Sequence, residues 1–157
     1  MNCTQFVGEV MKLMGKPAMK YIGPIDGMSP ETGFDCSGFV TYLLREVVKF
    51  PRPVPRHCNE YFDTFGVFVH NFLPGDLVFF SRRNGGQFPD HMGIMISEIS
   101  YAHSPGSDGK IVEVKSLKGG PIKNLYYEES RRIYTTNPIG FKRLSFKEGR
   151  YQRFFLS

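Results

Sequence analysis

The sequence lacks the features that mark several specialised classes of protein. Its 157 residues include no Trp and only three Cys, at positions 3, 36 and 58, without C-x-x-C spacing. A disulfide framework and a cysteine-rich zinc site are therefore poor interpretations. No apolar stretch approaches the length that crosses a membrane, and no repeat or low-complexity linker divides the chain. We predict one domain over residues 1–157, long enough to bury a core, with no metal or cofactor.

Positive charge is also scarce in most of the chain. Residues 1–109 carry 9 Lys+Arg against 11 Asp+Glu, whereas residues 110–157 carry 11 against 4, so the net charge of +5 comes from the last third. This pattern favours an anionic polymer as partner: a nucleic acid, a membrane surface or a cell-wall polymer. No run of Lys and Arg is interleaved with stacking aromatic residues, so nucleic acid is not the predicted partner.

Helical patterns come first along the chain and strand patterns follow. Apolar spacing predicts helices over Thr4–Met14, capped by Thr4, and from Cys36 to the segment FPRPVP, with a short helix over Arg56–Thr64. After Leu73, short apolar or alternating runs predict strands: PGDLVFF, HMGIMIS, SYAHS, KIVEVKSL, IGFKRLSF and YQRFFL. The predicted fold class is α+β, with N-terminal helices packed on an antiparallel sheet or barrel of five to six strands.

Cys36 lies where a polar loop becomes an apolar helix, between Asp35 and Ser37. A helix N-terminus stabilises a thiolate through its backbone N–H groups and the positive end of its dipole. The same N–H groups can bind an oxyanion. Cys36 is thus the predicted nucleophile, although a lone cysteine near a helix cap is more often inert.

A thiol nucleophile needs a base, and His91 and His103 are the best candidates. They begin and end two consecutive predicted strands. A hairpin loop of odd length around Ser97 would place them opposite each other on one face, whereas an even loop would offset them by one position. His57 and His70 have no third polar group in view and are predicted to be surface residues. The rival pair of His57 with its neighbour Cys58 is disfavoured because adjacent helical residues point apart.

Successive motifs of the chain resemble those of the NlpC (NlpC/p-sixty) family of papain-like cysteine peptidases. In order they are YIGPIDGMSPETGFDCSGFVTYLL, PRPVPRHC, LPGDLVFF, DHMGIMIS and AHSPGSDGKIVEV, spanning about Tyr21 to Val114. The resemblance implies a papain-like α+β core with Cys36 as nucleophile, His91 as general base and acid, and His103 as the group that orients His91. The chain has Gly-Pro after Tyr21 where the family has paired glycines.

The resemblance also implies a substrate. Members of the family hydrolyse amide bonds in peptidoglycan stem peptides, often between γ-D-Glu and a diamino acid. Tyr21, Asp35 and Ser37 match positions that line the cleft and hold a free substrate amine. Asp35 equally fits a helix cap. Two alternatives stay open: an acyltransferase or lipid amidohydrolase on the same site, and a non-catalytic phage-tail or secretion-apparatus module.

The N-terminal segment has no basic start followed by a continuous apolar region, so no secretion signal is recognised. We expect synthesis in the cytoplasm. Three routes would bring the protein to a substrate: export by machinery other than Sec, release with a phage or at lysis, and action on imported wall fragments. The sequence does not define the oligomeric state.

Overall fold

The computed structural model of the chain describes residues 1–81, 87–106, 111–117 and 138–146. Within these ranges the helical elements are α1 (Cys3–Met11), α2 (Cys36–Tyr42) and α3 (Cys58–Thr64). The chain continues from α2 directly into a π-helical turn, Leu43–Val47. A short hairpin of β1 (Met28–Ser29) and β2 (Gly33–Phe34) lies immediately before α2.

The remaining strands form one six-stranded antiparallel sheet. They are β3 (Val67–Val69), β4 (Leu77–Phe80), β5 (His91–Met95), β6 (Ser100–His103), β7 (Glu113–Ser116) and β8 (Pro138–Arg143). The spatial order is β3-β8-β4-β5-β6-β7, so β8 pairs with both β3 and β4. The predicted α+β architecture with an antiparallel sheet is confirmed.

The main core lies between the helices and one face of the sheet. Alternation along β4 places Leu77 and Phe79 in this core and Val78 and Phe80 in a smaller cluster on the other face. α2 packs against β5. The helices contribute Phe6, Val10, Phe39, Val40, Leu43, Leu44, Cys58 and Tyr61 to the main core. These contacts hold the start of α2 against the sheet.

The first helix differs from its prediction at both ends. Asn2, not Thr4, is the N-cap: its side chain accepts from the backbone N–H of Gln5 at 2.8 Å, and the Gln5 side chain accepts from the Asn2 N–H at 2.9 Å. This reciprocal capping starts the helix at Cys3. The helix ends at Met11 because the next backbone bonds are tighter i to i−3 turns, and Gly15 then takes a positive φ of 85°.

Other parts of the chain also differ from the sequence analysis. The strands β1, β2 and β3 were not predicted, since two or three residues are too few to show alternation. The third helix begins at Cys58 instead of Arg56, with His57 as its N-cap. The strand predicted over YQRFFL lies outside the described residues. In the described part of the chain, no helix is both long enough and apolar enough to cross a bilayer.

Candidate active site

Cys36 is the first residue of α2, as predicted, and its side chain is half-buried. Asp35 is the N-cap in extended conformation, and its Oδ1 accepts from the backbone N–H of Gly38 at 2.7 Å. A Cβ at Gly38 would collide with the carbonyl oxygen of Gly27, which also accepts from the Asp35 N–H at 3.0 Å. The glycine of D-C-S-G is therefore required because the loop before β1 crosses closely over the start of α2.

His91 and His103 meet, but in a register different from the one predicted. Ile94 pairs with Ala102 and Met95 with Tyr101, so the hairpin centres on position 98 instead of Ser97. In this register His103 lies opposite position 93, and His91 is its diagonal neighbour on the same face. Nε2 of His91 lies 2.7 Å from Nδ1 of His103, and both side chains are buried. The predicted direct cross-strand pairing is wrong by two residues, whereas the predicted contact is present.

Gly93 makes this diagonal contact feasible. A Cβ at Gly93 would lie 2.7 Å from the carbonyl oxygen of Ala102 and 3.2 Å from the Cβ of His103. Such distances are too short for a side chain at this position. The glycine of H-x-G-I thus leaves the space across which His91 and His103 make their edge-on contact, with ring centroids 5.0 Å apart.

The two histidines lie at the same end of the sheet as Cys36. The hydroxyl of Ser104, which directly follows His103, donates to the carbonyl oxygen of Phe34 at 2.6 Å. Phe34 is two residues before Cys36, and α2 packs against β5, which begins at His91. The structure therefore brings the chain segments of all three predicted catalytic residues together.

Glu113 extends the histidine pair and was missed by sequence analysis. It is the cross-strand partner of His103 on β7, and its Oε1 lies 3.3 Å from Nε2 of His103. Burial lowers the pKa of His103, and the hydrogen bond with Glu113 opposes that shift. The alternation of E-V-K-S placed Glu113 on a strand, but only the β6–β7 register shows which residue it faces.

Arg56 is a second residue that sequence analysis missed, although it lies in the PRPVPRHC motif. Its guanidinium forms a two-pronged ion pair with Asp35, at 2.6 Å and 3.1 Å, and donates to Oγ of Ser37 at 3.0 Å. It also donates to the carbonyl oxygens of Pro24 and Asp26, both at 2.8 Å. Asp35 is 2% exposed and Arg56 7% exposed. The Asp35 carboxylate thus has both a capping bond and a buried counter-charge.

Tyr21 lies beside this network and contacts His57. The Tyr21 hydroxyl is 3.0 Å from Nε2 of His57, whose Nδ1 is 2.7 Å from Oε1 of Glu60. The expectation that His57 has no third polar group is wrong. Cys58, however, is buried in the main core, and His70 is exposed as predicted.

Comparison with known proteins agrees with this architecture. The model of the NlpC/P60 family matches residues 24–131. The chain is 33% identical over 136 residues to murein DD-endopeptidase MepH of Escherichia coli (strain K12), covering 85% of this chain and 46% of the relative. It is 32% identical over 131 residues to the probable peptidoglycan endopeptidase LytE of Bacillus subtilis (strain 168), covering 83% and 35%.

The solved NlpC/p60 domain of the peptidoglycan hydrolase SagA superimposes with a TM-score of 0.58 at 28% identity, covering 75% of this chain and 92% of that domain. The fold is thus the papain-like α+β fold predicted. The chain spans less than half the length of the curated relatives MepH and LytE, so the comparison concerns one domain. On the family match over most of its length and these identities, the chain belongs to the NlpC/P60 family.

Proposed function

We propose that the chain hydrolyses an amide bond in peptidoglycan stem peptides through a Cys36–His91–His103 triad. The observation that carries this proposal is the buried 2.7 Å contact between Nε2 of His91 and Nδ1 of His103. The contact orients the His91 ring and directs its Nδ1 edge away from His103. A thiol at a helix N-terminus, a histidine and a third polar group are the components that thiol acyl transfer requires.

The proposed reaction has two halves. Nδ1 of His91 takes the thiol proton of Cys36, and the thiolate attacks the carbonyl carbon of the scissile amide. Backbone N–H groups in the first turn of α2 stabilise the oxyanion. Nδ1–H of His91 then protonates the leaving amine, and a thioester forms on Cys36. In the second half His91 removes a proton from water, the resulting hydroxide attacks the thioester, and the carboxylate product and the thiol are released.

The proposed substrate rests on the family and on the names of its relatives. MepH and LytE are named as endopeptidases of murein or peptidoglycan, and SagA as a peptidoglycan hydrolase. We propose the bond between γ-D-Glu and a diamino acid as the one cleaved. Of the three residues proposed to bind substrate, Tyr21 is 48% exposed, whereas Asp35 and Ser37 are 2% and 4% exposed. A substrate amine would therefore contact Tyr21 most extensively.

Product analysis tests this proposal. Soluble muropeptides released from purified cell walls are incubated with the protein and analysed by mass spectrometry. The proposal predicts a fragment ending in γ-D-Glu and a second fragment with a new amine on the diamino acid. Cleavage at another amide bond would retain the hydrolase but reassign the bond. Release of no fragment, with the protein folded, would contradict the proposed function and favour the non-catalytic alternative.

A further inference from the structure

Glu113 contacts the pair formed by His91 and His103, but the proposed Cys–His–His mechanism gives it no role. Its Oε1 lies 3.3 Å from Nε2 of His103, and it is the direct cross-strand partner of that residue. The Glu113 side chain is 31% exposed, and Nζ of Lys115 lies 3.8 Å from the same oxygen. A carboxylate beside a lysine, at the edge of a buried imidazole pair, can act only as a hydrogen-bond acceptor when ionised.

An acceptor at this position determines the tautomers of both histidines. If Glu113 accepts from Nε2–H of His103, then neutral His103 has its lone pair on Nδ1. Nδ1 of His103 must then accept from Nε2–H of His91 across their 2.7 Å contact. Neutral His91 in turn has its lone pair on Nδ1, which is the form that can take a thiol proton.

The opposite tautomers would disable the base. If Nδ1 of His103 carried the proton, it would donate to Nε2 of His91, and Nδ1 of His91 would then carry a proton of its own. A ring in that state cannot remove the proton of Cys36. Burial lowers the pKa of His103, so the neutral ring, in which the choice of tautomer matters, is favoured.

We propose that Glu113 is a positioning residue that selects the Nε2–H tautomer of His103 and, through it, of His91. This inference rests on the proposed function for its catalytic consequence, but the tautomers themselves are measurable without turnover. The proposal requires residue 113 to accept a hydrogen bond and does not require its negative charge. The variant Glu113→Gln separates these two properties, because Gln has an oxygen that can accept at the same distance and carries no charge.

The test is nitrogen-15 NMR of the histidine rings in the full chain, near pH 8, for wild type and the variants Glu113→Gln and Glu113→Ala. Wild type should show protons on Nε2 of both His91 and His103. Glu113→Gln should retain this pattern, and Glu113→Ala should give mixed tautomers. The control is Glu9→Gln on α1, because the Glu9 side chain is 28% exposed and pairs with Lys12 at 3.0 Å, much as Glu113 pairs with Lys115.

Activity on muropeptides gives the second readout. Glu113→Ala should lower kcat by roughly 10–100-fold with little change in KM, since removal of an outer partner misorients the base without touching the substrate. Glu113→Gln should recover most of that loss, and Glu9→Gln should match wild type. Unchanged tautomers in a folded Glu113→Ala variant, or Nδ1–H on His103 in wild type, would overturn the proposal. The predicted tautomers in a wild-type protein without turnover would instead contradict only the proposed function.

Discussion

Replacing Asp35 by Asn separates the charge of this residue from its role as a helix cap. Asn caps helices about as well as Asp, so a capping role alone predicts little change in stability. The structure adds the ion pair with Arg56, in which the two side chains are almost fully buried. Asn keeps an oxygen for the Gly38 N–H but leaves the guanidinium without its counter-charge. We therefore expect Asp35→Asn to destabilise the protein substantially.

The size of this effect follows from burial. Removing one partner of a buried ion pair costs about 3–5 kcal/mol. Arg56 keeps the Pro24 and Asp26 carbonyls and the Ser37 hydroxyl as acceptors, which favours the lower end of that range. At about 2–4 °C for each kcal/mol in a domain of this size, Tm should fall by roughly 6–12 °C.

Thermal unfolding of Asp35→Asn, Arg56→Met and the double variant forms the assay. The double variant should be more stable than the sum of the single losses implies, with a coupling free energy of roughly 2–3 kcal/mol. A Tm for Asp35→Asn within about 1 °C of wild type would refute the reasoning.

The same variant also tests the role predicted for Asp35 in substrate binding. Because Arg56 already neutralises the carboxylate, we expect kcat/KM to fall equally for stem peptides with a free N-terminal amine and for their N-acetylated forms. A loss confined to the free-amine peptides would support direct amine recognition by Asp35.

Three further predictions concern the thiols, the glycine between the histidines and pH. Iodoacetamide at neutral pH should modify Cys36 well before Cys58, which is 8% exposed; faster labelling of Cys58, read by peptide mass mapping, would reject Cys36 as the reactive thiol. Gly93→Ala should reduce kcat/KM at least about tenfold by moving the histidines apart. Gly8→Ala lies in an exposed turn of α1, where an added Cβ meets nothing within 4 Å beyond its chain neighbours and the helix's own backbone; it should retain full activity and gain about 1 kcal/mol of stability. Burial lowers the pKa of His103, so the unfolded chain binds a proton more readily than the folded chain does, and the free energy of unfolding should fall as pH drops below ~6.5. Urea titrations should show a smaller fall in His103→Asn than in wild type. An equal fall in the two proteins would exclude His103 as its source.

Sequence analysis succeeded where a local pattern determines the structure. The start of α2 follows from a capping Asp35 before an amphipathic run, which is why the position of Cys36 at a helix N-terminus was predictable. The strands that begin with His91 and end with His103 follow from short apolar runs bounded by loops. These signals depend only on residues close together in the chain.

The parts that sequence analysis missed depend on pairings between distant segments. The register of β5 and β6 was wrong by two residues because several turn geometries suit the same loop. Arg56 meets Asp35 across 21 positions, and Glu113 meets His103 only because β7 pairs with β6. A single charged residue has no periodic signal, so its partner becomes known only from the packed structure.

Turnover of the Cys36→Ser variant is the most direct test of the central claim, that this chain is a hydrolase with Cys36 as its nucleophile. The variant is compared with wild type and with Cys58→Ser on the same muropeptides, with Tm measured for all three. The account predicts that Cys36→Ser stays folded and releases no product above background, while Cys58→Ser retains turnover. Wild-type turnover by a folded Cys36→Ser variant would contradict the account.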